Sequence, residues 1–374
     1  MKKIGLILNP VAGVGGPAGL KGSDGAEIQE MAKKLGIQSA APRRATVVLE
    51  KLATEKDKFV LLTAPGEMGA DIAKAAGYEP QVIGEIEAGK TTPEDTIRIA
   101  RQMRDEGIDL LLFAGGDGTA RNLSEAIGTS QLALGIPSGV KIHSGVYATN
   151  PQSAAELAWR FIRDEELGQD EAEVMDIDED KFRQEVVDAR LYGYMTVLQH
   201  PQLMQCCKSA GTSTFEALCE IANEVMDYIE DHDEFQYVIG SGTSTRGIME
   251  LLELPNTLLG VDVVYDYELV AKDVNEPQLY ELVKDKPTKI IITVIGGQGH
   301  ILGRGNQQLS PRVLRAVGLD NIIIIADPNK LMLLQNNCLI VDSGDPELDQ
   351  ELCGYRHIIV GANQTKFMKV TTGL

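Results

Sequence analysis

The apolar positions of this chain gather into short runs that end in turn residues. KIGLIL (3–8), FVLLT (59–63), QVIG (81–84), DLLLFA (109–114) and LALGI (132–136) are nearly continuous rather than alternating. Runs of this length, bounded by turns, read as strands buried on both faces. Between most of them lie patterns of helical period. The clearest is TPEDTIRIARQMRDE (92–106). Thr92 is placed to cap a helix, Pro93 fits its first position, and Glu94 and Asp95 suit the positive end of its dipole. Ile97, Ala100 and either Met103 or Arg104 follow at helical spacing. Strands alternating with helices predict an open, mostly parallel sheet over residues 1–150. Such sheets bind ligands beyond the carboxyl ends of their strands.

Past residue 150 the pattern is less regular. EVVDARLYGYMTVL (185–198), LGVDVVY (259–265), TKIIITVI (288–295) and NIIIIA (321–326) read as strands, and 213–231 as a helix opened by a capping box from Ser213 to Glu216. The expected fold class is α/β: an N-terminal open, mostly parallel sheet domain (1–150), then a C-terminal β-rich mixed α/β domain (151–345). A tail (346–374) is expected to pack back on the N-terminal domain. The acidic run DEELGQDEAEVMDIDEDK (164–181) reads as a solvated linker or edge, because it lacks a glycine-containing calcium loop.

Composition agrees with two domains: 374 residues exceed one ordinary core, and 43% hydrophobic with 24% charged residues is a globular balance. No run approaches the ~20 apolar residues that a membrane span needs. MKKIGLILNP reads as a first strand rather than a signal peptide, since its apolar run stops at Asn9-Pro10. Five cysteines without a CxxC argue against a disulfide framework or zinc site and suit a reduced, cytoplasmic setting. The vicinal pair Cys206-Cys207 reads as inert. A formal net charge of −20 with no basic stretch argues against nucleic acid and membrane partners. An acidic protein that binds phosphate must gather its cations locally. Lys141, Arg121, Arg246 and Arg304, all in or beside glycine-rich stretches, are the candidates.

The chemistry concentrates at LLFAGGDGTARNL (111–123). A strand delivers the chain to Gly115-Gly116-Asp117-Gly118-Thr119, and a helix-compatible segment carrying Arg121 and Asn122 follows. Bare backbone and a helix N-terminus make an anion cradle. A carboxylate there either takes a proton from an attacking hydroxyl or helps to hold Mg²⁺. NPVAGVGG (9–16), with Asn9, Gly13, Gly15 and Gly16, follows the first strand. IPSGVKIHSG (136–145) supplies Lys141, His143 and Ser144. GSGTSTRG (240–247) supplies Ser241, Gly242, Thr243, Ser244, Thr245 and Arg246, and GGQGHILGRGN (296–306) begins with Gly296 and Gly297. Alone, each loop is as well explained as a turn. Together they predict a phosphate-rich ligand in a crevice between two domains.

Two motif matches are set aside. GEIEAGKT (84–91) fits the P-loop pattern, but the helix signals begin later, at Thr92-Pro93, and Glu85 and Glu87 would repel an anion. GVGGPA (13–18) fits a dinucleotide fingerprint, but four residues separate it from the strand and Pro17 stands where the helix should run.

NPxAGxGG followed by GGDGT after a later strand resembles the ATP–NAD kinase superfamily, which is related to lipid kinases and phosphofructokinases. LLFAGGDGTARN, GIPSGVKIHSGVYATNP, GSGTSTRGIM and GGQGHILGRGNQQLSP are most similar to a bacterial branch described as ATP–NAD kinase-like or acetoin-catabolism protein X-like. The resemblance implies a kinase using ATP and Mg²⁺ to phosphorylate the adenosine ribose 2′-hydroxyl of NAD. It implies Asp117 as base or metal organiser, the glycines and Thr119 around it as the phosphate turn, and by analogy a homo-oligomer. The chain departs from the family in two places. Asn223-Glu224 lies in a helical pattern and Asn275-Glu276 precedes a proline, so neither fits the pair that reads the dinucleotide. GSGTSTRG also lacks the family's proline and tyrosine at that stretch. Another hydroxylated metabolite or a lipid as acceptor, and a nucleotide-binding accessory or sensor without turnover, stay open beside the NAD reading.

Overall fold

The computed structural model describes residues 1–20, 26–140, 142–177, 189–205, 215–334 and 337–373. Lys141, Cys206, Cys207 and the capping Ser213 lie outside these residues. The first of two sheets contains β1 (Lys2–Leu8), β2 (Phe59–Thr63), β3 (Gln81–Val82), β4 (Leu110–Gly115), β5 (Ala133–Pro137), β6 (Gly168–Ile177) and β7 (Ala189–Gln199). Their order is β3-β2-β1-β4-β5-β7-β6. All neighbours pair in parallel except β6, which runs antiparallel to β7 at the edge.

The strands are apolar throughout because each feeds two cores, its side chains alternating between faces. Leu110, Leu112 and Ala114 of β4 join Ala41, Val48 and Leu49 of helix Ala40–Leu52 and Leu157 of helix Pro151–Ile162. Leu111 and Phe113 join Ile99 and Met103 of helix Pro93–Asp105 and Leu123 of helix Asp117–Ile127. Burying such a side chain is worth about 1.5–3 kcal/mol. The chain leaving β1 therefore goes to one face and the chain leaving β4 to the other. β1 and β4 are neighbours, so a crevice opens between their carboxyl ends, where the loops at 9–16 and 115–119 lie.

Thr92 caps helix Pro93–Asp105 through a capping box with Asp95. The helix thus starts after the P-loop-like GEIEAGKT, and Lys90 within that stretch is spent on Glu87, 2.5 Å away. The acidic run holds β6, an edge strand whose charged positions disfavour pairing with a further strand. The β6–β7 hairpin extends the first sheet beyond β5 through Ala133↔Val197. The first sheet therefore draws on residues up to 199, well past position 150. The edge of β5 is paired there by the hairpin and, further along, by the segment 146–148, through Gly135 N–H to the Val146 carbonyl and Ala148 N–H to the Gly135 carbonyl, both at 3.0 Å.

The second sheet has the order β10-β9-β8-β11-β13-β15-β16-β14-β12. Its strands are β8 (Gln236–Ile239), β9 (Asp262–Tyr265), β10 (Glu268–Ala271), β11 (Thr288–Thr293), β12 (His300–Leu302), β13 (Ile322–Ile325), β14 (Cys338–Val341), β15 (Gly354–Gly361) and β16 (Gln364–Thr371). β8, β11, β13 and β15 are parallel. Helices cover both faces, so this half is also layered α/β. β15 and β16 form a hairpin inside this sheet. The residues just beyond β16 touch the first domain: the Asn150 side-chain amide donates to the Thr372 carbonyl, and Ser153 Oγ to the Gly373 carbonyl at 3.4 Å. Among the described residues no helix is long and apolar enough to cross a membrane.

Candidate active site

The loop 138–145 joins the other glycine-rich loops. Ser138 N–H donates to the Gly115 carbonyl at 2.8 Å. Gly13, at φ +83°, lies so close to Ser138 that a Cβ would come within 2.4 Å of the Ser138 carbonyl oxygen. The Val140 carbonyl accepts from Gly305 N–H at 3.1 Å and from Gln307 Nε2 at 2.6 Å. The Ile142 carbonyl accepts from Gln298 Nε2 at 2.9 Å. Ser241 Oγ in turn donates to the Gly305 carbonyl at 3.0 Å. Five loops from two sheets thus meet at one seam. Gly16 faces Gln307 across it, and Gly15 accepts from Leu20 N–H at 2.8 Å. Gly297, at φ +77°, turns the chain after β11 just beyond Gly296.

Asp117 occupies the first position of its helix, with Gly116 as cap. It is only 6% exposed. Oδ2 accepts from His143 N–H at 2.7 Å and faces His143 Nδ1 at 3.1 Å. Oδ1 accepts from Ser144 N–H at 3.1 Å and Ser144 Oγ at 2.6 Å. A carboxylate only accepts, so Nδ1 carries a proton, and in the neutral ring the lone pair is then on His143 Nε2. That Nε2 is buried and has no partner. Around this pair, Tyr147 hydroxyl donates to the Gly116 carbonyl at 2.5 Å, and Asn9 Nδ2 to Thr119 Oγ1 at 3.1 Å. Burial, and then the charge of Asp117, push the Tyr147 phenol well above its ordinary value, so it stays a neutral donor. Gly115 must be glycine: a Cβ would lie 2.4 Å from Thr119 Oγ1. No acceptor among the described residues takes the N–H groups of Gly116, Asp117 and Gly118. They are the unsatisfied donors that a helix start leaves.

The expected cations are placed otherwise. Arg121 pairs with Asp176 at 2.7 Å and lies over the Tyr192 ring. Arg246 pairs with Glu250 at 2.7 Å on an exposed helix face. Arg304 is 3% exposed and bonds Asp342 Oδ2 at 2.8 Å and the Thr149 carbonyl at 3.1 Å. Arg44, which the sequence did not single out, grips both oxygens of Asp342 at 2.7 and 3.1 Å. Arg304 thus fastens the two halves. Burial pushes the Asp342 carboxyl up, but Arg44 and Arg304 outweigh it and hold the group below its usual range. Asn122 is half-buried one turn into the helix, Thr243 is exposed, and Ser244 and Thr245 are buried. Thr245 Oγ1 donates to the Gly240 or Gly242 carbonyl.

Asp117 was also expected to hold Mg²⁺. Both of its oxygens already accept hydrogen bonds, and among the described residues no group of three His, Cys, Asp or Glu side chains gathers. The donor set does not fit direct ligation by the protein. Tyr147 and Arg44 left no mark in the sequence, because an aromatic after a loop and an arginine in a helix are commonplace; their roles follow only from contacts across the fold.

Two layered α/β halves with glycine-rich strand ends facing a common seam define the class of fold to which the comparisons point. The ATP-NAD kinase N-terminal domain matches residues 4–166, and the ATP-NAD kinase C-terminal domain matches residues 232–370. The chain belongs to the ATP-NAD kinase superfamily. No curated protein and no solved structure matches it.

Proposed function

We propose that the chain transfers the terminal phosphoryl group of ATP to a ribose hydroxyl of NAD, giving NADP. The observation that carries this is His143 Nε2, buried without a partner and held by Asp117 beside the open amides of Gly116–Gly118. In this reading the amides hold phosphate oxygens. The ribose hydroxyl gives its proton to His143 Nε2 as its oxygen bonds to phosphorus, and the bond from phosphorus to the ADP oxygen breaks. Asp117 keeps the imidazole in the reactive tautomer and stabilises the imidazolium. Most of the acceleration is positioning and charge stabilisation, as in other phosphoryl transfers. Magnesium enters this reading only with the nucleotide, on its phosphates.

A second acceptor is favoured by one observation. Both Asn-Glu pairs are occupied by the fold. Glu224 accepts from Asn363 N–H at 2.6 Å, Asn275 caps helix Glu276–Val283, and Glu276 is bound to Arg312 at 2.5 Å. One assay decides. The full chain with ATP, Mg²⁺ and NAD should form NADP, read by an NADP-specific dehydrogenase. ADP release that needs a different hydroxyl compound would replace NAD as acceptor, and nucleotide binding without ADP release would leave a sensor.

A further inference from the structure

The loop that carries His143 changes hands between the two halves. Its Val140 and Ile142 carbonyls are taken by the second half, the first through Gly305 N–H and Gln307 Nε2, the other through Gln298 Nε2. From His143 onward the first half holds it. Ser144 is fixed by Asp117, and its Oγ accepts from Met175 N–H at 3.0 Å. Gln205 Nε2 donates to the Ser144 carbonyl at 2.9 Å, and Gly145 N–H to the Glu173 carbonyl at 2.9 Å. The changeover falls on one peptide group, between Ile142 and His143. Its carbonyl accepts from Gln298 at 2.9 Å, and its N–H donates to Asp117 Oδ2 at 2.7 Å.

A peptide group is planar, so partners at both ends fix its tilt, and with it the backbone that carries the imidazole. The two bonds also reinforce each other. A donor on the carbonyl polarises the peptide and strengthens the N–H that it offers to the carboxylate. Gln298 is held firmly for this contact. It is 6% exposed and stands between Gly297 and Gly299, both at φ +77°. Gly299 N–H donates to the Ile295 carbonyl at 2.9 Å, and the Gly299 carbonyl accepts from Ile340 N–H at 2.9 Å. A Cβ at Gly299 would lie 3.1 Å from the Cys338 carbonyl oxygen, so the turn is packed against β14. The glycines of GGQGH thus present one buried amide to the other half.

We propose that Gln298 is a positioning residue, which sets His143 against Asp117 by holding the 142–143 peptide from the second half. Its part in turnover rests on the kinase reading; its hold on the peptide does not.

The test compares Gln298→Met, which keeps the length of the side chain and removes the donor, with Ser153→Ala, which removes a contact between the halves away from this loop. Hydrogen exchange of the full chain, read by mass spectrometry, should speed up about tenfold at the His143 and Ser144 amides of Gln298→Met, the size of one net hydrogen bond, and keep the wild-type rate in β4. Gln298→Asn, whose amide is one methylene short, is the second variant and should do the same. With ATP, Mg²⁺ and NAD, kcat should fall about tenfold in both while the KM values hold, again the size of one hydrogen bond. Ser153→Ala should change neither readout. Wild-type exchange at the two amides in Gln298→Met overturns the proposal. Exchange raised equally in β4 in both variants makes Gln298 a general fold contact and also overturns it, as does full kcat with the amides loosened. Selective loosening in a chain whose wild type never forms NADP removes the kinase reading and leaves the hold on the peptide standing.

Discussion

Two buried aspartates follow strand ends at the seam, and they are built for different work. Asp342, just past β14, is held by the guanidinium groups of Arg44 and Arg304. Asp117, just past β4, is held by an imidazole, a hydroxyl and two backbone amides. Both are equally hidden and both have their oxygens filled. A guanidinium keeps its proton at any working pH, so the Asp342 cluster is a fixed lock between the halves. An imidazole can take or give a proton at a ring nitrogen, and His143 Nε2 has no partner in the fold. Burial alone therefore does not say what a buried acid is for. The proton chemistry of its partners does.

The comparison can be broken in three places. The largest effect is expected at the first aspartate. Asp117→Asn should lower kcat by about 10⁴-fold, the size seen when the acid behind a catalytic histidine is neutralised, while ATP binding changes little. Wild-type turnover in that variant would reduce Asp117 to a packing group. Asp342→Asn should act on stability instead: it leaves buried guanidinium charge uncompensated, and urea unfolding should show a loss of about 3–5 kcal/mol. If its stability were unchanged and its activity gone, the two roles would have to be exchanged.

The smallest effect concerns His300, whose Nε2 faces the Thr149 carbonyl at 3.1 Å beside Arg304. Burial, then the charge of Arg304, lower this imidazole to about 3 from 6.5. The unfolded chain therefore binds the proton more readily, and stability falls as the pH drops from 6.5 toward 3. The slope should reach at most about 1.4 kcal/mol per pH unit. His300→Gln should remove that slope, seen as wild-type and variant unfolding curves that converge as the pH is lowered from 7 to 5. Parallel curves would mean that His300 is solvated in the folded state.

The sequence was most legible where local physics was strong. Thr92-Pro93 with Asp95 identified a helix start, and the buried runs of β1, β4, β11 and β13 announced themselves because parallel strands are apolar on both faces. β15 and β16 were not read as strands. Their patterns, GYRHIIVG and QTKFMKVT, leave residues such as Tyr355 and Phe367 exposed, and their pairing is fixed by a hairpin deep in the second sheet. GGDGT pointed to Asp117, which the fold sets against the loop of His143 and Ser144, but it gave no sign of these partners.

By itself, then, the sequence determined the alternation of strand and helix, the glycine turns at strand ends and the acid in one of them, because backbone freedom and hydrophobic period are local properties. Only the tertiary structure decided which cations are spent on acids of the same chain, which histidine faces Asp117, and that Gln298 meets the Ile142 carbonyl. Those facts depend on contacts between residues up to about three hundred positions apart, such as Arg44 and Asp342. Electrostatic pairing is set by distance in space, about which spacing along the chain says nothing.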